Sequence, residues 1–413
     1  MKISKTQLIY LGLILCILLQ NSFFHLINPS STMTLLLLLD IAVLFLLSLT
    51  TRAYGAGKYL NKYLLMVIIV VIIPQTIYAI TLGETVNGYI DVIRGPFSLF
   101  LALPVLVLMV RKNSIEYLLD KVAFLTTISL AILLANSFAL NNMGVSLLPF
   151  DYFQMPLIKR GDWVRILLIS DFLSFTSIYS FCKVLKGKKN RGLFLFSFII
   201  CFLSEIYIEQ SRVMIMAIAA SCLIVFSQTL KRNKIWFYFL AIIFVIIGLF
   251  GDWFSSVFEI FSVENEGLGV STLTRINEIS YAIQLIKEHP FMGTGMVHDY
   301  YFIVYTNGFS YEYNHTDIGI LGCISYIGLI GTIVYFVAPY IRCLKTIKFY
   351  SNKNNDSLEY SFMLGILIYV TITALTILII DNARIFVWPF ILAVFEFCRY
   401  QYVKNQVNVE GMK

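Results

Sequence analysis

Three of the four histidines, His289, His298 and His315, fall in one stretch, residues 252–316. Within it, "HPFMGTGMVHDYY" sets Gly293 and Gly295 beside two of them, and "YEYNHTDIGILG" sets the third between Asn314 and Asp317. Imidazole can take or give a proton near neutral pH. Glycine allows tight turns and brings main-chain N–H groups close to a ligand. A second set of candidates is made of arginines: Arg94, Arg160, Arg165, Arg212, Arg275 and Arg384. Their planar forks of donors suit phosphate and carboxylate. In "EIYIEQSRVMIMAIAA", Glu205, Glu209 and Arg212 are spaced four and three apart, which puts them on one face if the helical path continues. They would form either an ion pair closing a hairpin or part of an anion site. His298, Asp299, His315 and Asp317 could approach one another, but their spacing is not that of a metal site, and no metal or other cofactor is expected.

The elements that must position these residues follow from composition. The chain has 413 residues, of which 59% are hydrophobic and 13% charged. Soluble domains have about 45–50% and 25%. Apolar windows long enough to cross a hydrocarbon core, about 20 residues, recur along nearly the whole length. The spacing predicts an all-α polytopic membrane protein, one integral domain over 1–413, with about twelve spans. These lie near 7–27, 33–51, 63–82, 95–110, 117–136, 164–185, 193–208, 212–230, 235–251, 317–341, 359–380 and 385–402.

Orientation follows from the bias of basic residues toward the cytoplasm. With both termini inside, the inner segments hold 23 of the 31 Lys and Arg residues. The net charge of +7 reflects this bias and gives no reason to expect nucleic acid as a partner. Six of the eight basic residues left on the outer side are arginine, against six of 23 inside. That contrast suggests an anion recognised at the outer surface. Asp40 and Asp171 each fall about seven residues from the outer end of a span, a shared depth that fits an outward-open pocket.

Residues 252–316, between the ninth and tenth spans, form one long outer loop, and loops beyond about 12–15 residues are usually functional or disordered. Here "TRINEISYAIQLIKEHP" repeats isoleucine at helical spacing (Ile276, Ile279, Ile283, Ile286), with Thr274 as N-cap and Pro290 closing the run. It reads as an amphipathic helix on the outer surface, with Arg275 in its first turn, where the helix dipole also favours an anion.

"RINEISYAIQLIKEHPFMGTG" followed by "YNHTDIGILGCISYIGLIG" resembles the C-terminal signature of the O-antigen polymerase and O-antigen ligase superfamily. That signature has an arginine on an outer-loop helix, then Pro and G-x-G, then a histidine leading into "GILG". "SRVMIMAIAA" is similar to the family's Ser-Arg motif at the outer start of a helix. The motifs cover about residues 204–335. The resemblance implies a bacterial inner-membrane glycosyltransferase, its active site outside the cytoplasm, using no metal or nucleotide sugar. It would polymerise oligosaccharide repeat units carried on polyprenyl diphosphate into O-antigen, capsule or exopolysaccharide. Residue by residue, it implies Arg212 and Arg275 as a diphosphate clamp and His315 as catalytic base. Arg94, Arg160, Arg165, Glu209, Gly293, Gly295, His298, Asn314 and Asp317 are the candidate substrate-binding residues around them. The implied partners are the lipid-linked donor, the glycan acceptor, the bilayer, a chain-length regulator and a flippase. The alternatives are ligase-type transfer to another acceptor and, from a different class, transport of the glycan. Transport would lead one to expect internal repeats and helices interrupted near the midplane; the sequence shows neither, and its polar features gather at the outer face.

Overall fold

A computed structural model describes residues 4–20, 31–51, 55–148, 158–160, 163–165, 172–187, 189–209, 211–229, 269–295, 318–354, 356–376 and 387–410. Among them the chain is all-α apart from one small hairpin. Twelve helices follow in order: α1 Lys5–Gln20, α2 Ser31–Thr50, α3 Lys58–Leu82, α4 Val86–Lys112, α5 Glu116–Met143, α6 Phe172–Lys186, α7 Arg191–Glu209, α8 Arg212–Thr229, α9 Gly269–Glu288, α10 Gly319–Ser351, α11 Leu358–Thr373 and α12 Val387–Glu410. Five of these (α3, α4, α5, α7 and α10) are long and apolar enough to cross a membrane, and four shorter ones are apolar as well. Large side chains such as Leu46 and Ile80 stay 61% and 73% exposed on α2 and α3. Apolar surface of that extent is stable against lipid, not against water, and the protein is a multi-pass membrane protein.

The ends of the helices are written locally. Thr85 caps α4 by accepting from the Gly88 N–H at 3.2 Å, and Ser357 caps α11 by accepting from Tyr360 at 3.1 Å. Gly83, Asn113 and Gly144 end helices in the left-handed conformation. Edge-on aromatic contacts tie the middle of the bundle together: Phe172 on Phe390 at 5.2 Å, Phe175 on Phe362 at 5.1 Å and Tyr179 on Phe362 at 5.3 Å.

Several expectations change. The span predicted at 95–110 begins at Val86, so Arg94 lies two turns inside a helix rather than ahead of one. The span predicted at 164–185 begins at Phe172; ahead of it, Ile158–Arg160 and Trp163–Arg165 pair as an antiparallel hairpin, β1 and β2, with Arg160 opposite Trp163 and Ile158 opposite Arg165. The start of that window, apolar from 164 to 169 except for Arg165, could not be told apart from helix by hydropathy alone. The span at 235–251 lies outside the described residues.

Contacts fix which helix ends lie together. Lys186 at the end of α6 pairs with Asp356 just before α11, so α6 and α11 run antiparallel. Ser174, at the start of α6, donates to Glu205 at 3.5 Å, so α7 returns to the starting end of α6. Helix α8 turns back there, at Arg212. The Ile320 N–H donates to the Ala374 carbonyl at 2.9 Å, joining the start of α10 to the end of α11. On α3, Tyr63 donates to the Tyr335 carbonyl at 2.8 Å, and Gly295 lies against Tyr78 while donating to the Tyr326 carbonyl at 3.0 Å. Helix α3 is therefore antiparallel to α10 and ends, at Leu82, on the side where α10 begins.

Candidate functional site

One end of the bundle thus collects the start of α6, the end of α7, the start of α8, the end of α11 and the start of α10. The candidate residues distribute over it as follows. Arg212 is the first residue of α8, as expected for a helix-start arginine. Glu209 closes α7 and is buried. The last five residues of α7, Glu205–Glu209, form a π-turn, and Ser211 is non-helical. The single continuous face drawn from the four and three spacing of Glu205, Glu209 and Arg212 is therefore interrupted, and the two glutamates and the arginine belong to different elements. Strand β2, which ends at Arg165, packs on that π-turn and on α5, so the hairpin carrying Arg160 and Arg165 sits at the same end. Such π-turns often mark functional sites, because the wider turn turns carbonyls out of the regular ladder.

Arg275 lies on α9, but this helix starts at Gly269, so Arg275 is in the second turn and not at the N-terminal end of the dipole. Helix α9 packs on α10. It turns Tyr281 and Leu285 toward Tyr78 and Leu82 of α3, with Ala282 and Glu278 also buried. The repeating isoleucines Ile276, Ile279 and Ile283 point the other way and are exposed from the protein. The apolar stripe that identified the helix is thus not its protein-facing side.

Gly293 and Gly295 have a role the sequence did not suggest. Helix α10 breaks at Gly328, whose backbone (φ 71, ψ 175) leaves the helical region. A break in a helix orphans carbonyls above it and N–H groups below it. The turn after α9 satisfies both sets. Thr294 and Gly295 donate their N–H groups to the Ser325 and Tyr326 carbonyls at 2.9 and 3.0 Å, and the Thr294 hydroxyl adds a second bond to Ser325 at 3.1 Å. Below the break, Leu329 and Ile330 donate to the Pro290 and Phe291 carbonyls at 3.0 and 3.3 Å. The Gly293 N–H returns to the His289 carbonyl at 3.1 Å. The expectation that these glycines offer N–H groups to a ligand gives way: all three N–H groups from 293 to 295 are engaged within the chain. The glycines serve close backbone approach. A β-carbon on Gly293 would meet the Gly328 nitrogen and the Tyr326 carbonyl, and one on Gly328 would meet the Phe291 carbonyl. Both positions also have positive φ.

His298, Asn314, His315 and Asp317 lie outside the described residues. The chain resumes at Ile318, three residues after His315, and Gly319 is held at the Arg212 end of the bundle by the Ile320 to Ala374 bond. Asp40 accepts from Cys16 of α1 at 3.0 Å, pairing the first two helices. Asp171 lies outside the described residues. No interrupted helix is expected from the sequence, and the break at Gly328 corrects that; the two glycines of the apolar run "SYIGLIG", Gly328 and Gly331, are the signal that could have found it.

Residues 192–336 match the O-antigen ligase family. The matched stretch begins at the start of α7 and ends eight residues past the Gly328 break. It contains Glu209, Arg212, Arg275, the whole backbone joint and positions 298, 314, 315 and 317. No curated protein matches the chain.

Proposed function

From the family to which residues 192–336 are similar, a family of membrane glycan transfer, we propose that this protein polymerises polyprenyl-diphosphate-linked oligosaccharide repeat units into a surface polysaccharide. The reading is carried by one coincidence: the three residues singled out for chemistry, Arg212, Arg275 and His315, all fall in the matched stretch, and the fold brings the start of α8 and the start of α10 to the same end of the bundle.

The chemistry follows from the groups. A sugar hydroxyl of the acceptor attacks the anomeric carbon that bears the diphosphate. The new C–O bond forms as the bond to the diphosphate oxygen breaks, and His315 takes the hydroxyl proton. The diphosphate is a weak base when it leaves, so it needs charge stabilisation more than protonation. Arg212 and Arg275 supply that through paired N–H donors, with Arg160 and Arg165 of the hairpin as further cations at the same end. Arg94, two turns inside α4, is a more deeply set contact, and Glu209, Asn314 and Asp317 are hydroxyl partners for the sugars. A base on the face opposite the leaving group gives inversion at the anomeric carbon. On this reading the site lies outside the cytoplasm in a bacterial plasma membrane, and the reaction is metal-independent.

Deleting the gene tests the reading. Single repeat units accumulating on lipid are the expected result. Long polymer left unattached would instead assign the second reading, ligase-type transfer to a different acceptor, which the name of the matched family favours. Purified protein that moves lipid-linked glycan without forming a glycosidic bond would overturn both, and an anomeric product of retained configuration, read by NMR, would remove the single-base mechanism.

A further inference from the structure

With the membrane surface taken at the level where α10 begins and α3 ends, the turn that follows α9 lies well below it by two measures. Gly328, to which it is bonded, is nine residues into α10, about 13 Å along a helix rising 1.5 Å per residue. From the opposite end, the Arg342 guanidinium stacks on the Tyr59 ring at 3.5 Å, one residue into α3, and so marks the level at which that span begins. Gly328 is 14 residues from Arg342, about 21 Å, whereas Leu82 ends α3 about 34 Å from the same level. By this measure too the turn sits about 13 Å short of the helix end, against a hydrocarbon core about 30 Å thick.

At that depth the turn presents two different surfaces. Phe291 and Met292, 62% and 49% exposed, continue the exposed side chains Leu329 and Ile330 of α10. These suit acyl chains. The residues just before them are Gln284, Lys287, Glu288 and His289, and all four are exposed as well. Gln284 donates to Glu288 at 3.0 Å, which satisfies one carboxylate oxygen and none of the charge on Lys287. Ionisable groups are too costly to leave against lipid and at membrane depth face a protein interior or a wet cavity. Non-helical backbone is tolerated there under the same condition.

We propose that Gln284, Lys287, Glu288 and His289 line a water-filled cleft sunk into the leaflet as far as the Gly328 break, and that it receives a sugar of the glycan undergoing transfer. This ligand assignment rests on the function proposed above; the cleft itself does not. An amide, a carboxylate, an ammonium and an imidazole in one wet recess match the alternating donors and acceptors of sugar hydroxyls. The recess would let a hydrophilic acceptor reach below the surface without crossing lipid.

The test uses single-cysteine variants of the full chain in proteoliposomes; the seven native cysteines are buried and can stay. With a membrane-impermeant maleimide, Lys287→Cys and His289→Cys should label within about threefold of Met143→Cys, a 77% exposed helix end, while Phe291→Cys and Leu329→Cys label at least ~10-fold more slowly. His289→Cys labelling as slowly as Leu329→Cys would overturn the cleft, and Leu329→Cys labelling as fast as Met143→Cys would overturn the depth. For the ligand, Glu288→Ala should raise KM for lipid-linked oligosaccharide about 10-fold with kcat within about threefold, and Glu288→Gln should recover most of the loss. An unchanged KM beside a wet His289 would overturn the sugar assignment. Wild-type protein that forms no glycosidic bond would count against the proposed function and leave the labelling pattern intact.

Discussion

The two ends of the bundle are held together by different physics. At the Lys186 end, charges join helices. Lys183 of α6, its side chain only 5% exposed, reaches Glu116 at 2.5 Å and Asp120 at 3.1 Å on α5, and Asp120 also accepts from Tyr179 at 2.5 Å. Lys186 pairs with Asp356, and Arg342 pairs through two donors with Glu396 while stacking on Tyr59. At the Arg212 end, backbone carries more of the described joints: the turn after α9 is threaded into the break at Gly328 and Ile320 is bonded to Ala374, while uncharged Ser174 donates to Glu205 and a two-stranded hairpin packs on a π-turn. The lesson is that basic residues at the first end act as structural ties, and the proposed function assigns those at the second end, on helix starts and short elements, to a ligand instead.

That contrast can be broken by mutation, and the largest effect should come from the Arg212 end. His315→Ala is expected to lower polymer formation by about 10²–10⁴-fold, the usual contribution of a general base, at normal membrane level; gels of the surface polysaccharide read it. An undiminished ladder would remove the chemistry assigned to that end. Next comes Gly328→Ala. It puts a β-carbon into the Phe291 carbonyl and an alanine at positive φ, and unpairs up to four backbone groups at membrane depth, for a loss of about 3 kcal/mol or more. Folded yield after detergent extraction measures it, and a normal yield would mean that the joint is not what holds α9. Arg212→Lys and Arg275→Lys should each cost about 10- to 100-fold in activity with no loss of folded protein, because a point charge does not replace a fork on diphosphate.

The Lys186 end should behave in the opposite sense. Lys183→Met should lower stability by only about 1–2 kcal/mol, because Glu116 and Asp120 are 47% and 39% exposed and regain water once the lysine is gone. Thermal unfolding in detergent reads that change, and activity per folded molecule should be preserved. The smallest effect is expected for Lys186→Ala, below about 1 kcal/mol, since Asp356 is 84% exposed and its ion pair is screened. A large activity loss from either lysine would show that the two ends are coupled and that the division drawn here is too sharp.

The sequence marked Arg212 correctly as a helix start, because a change from polar to continuously apolar residues is visible at that point in the chain. It gave Arg275 the wrong turn of its helix, since the preceding "GVSTLT" has weak helix propensity and is helical only in context. It misread Gly293 and Gly295 because glycine pairs look alike whether they approach a phosphate or another backbone. It joined Glu205, Glu209 and Arg212 on one face because nothing local announces a π-turn.

By itself, then, the sequence determined the membrane class and most of the apolar helices. Each is a sum of transfer free energies over neighbouring residues, and such sums need no knowledge of distant partners. Only the tertiary structure decided that α10 breaks at Gly328, that the turn after α9 mends it, and that five helix ends gather at one end of the bundle. Those features depend on which unpaired backbone groups find each other across tens of residues. Hydrogen bonds between main chains carry no side-chain signature, so only the folded arrangement reveals them.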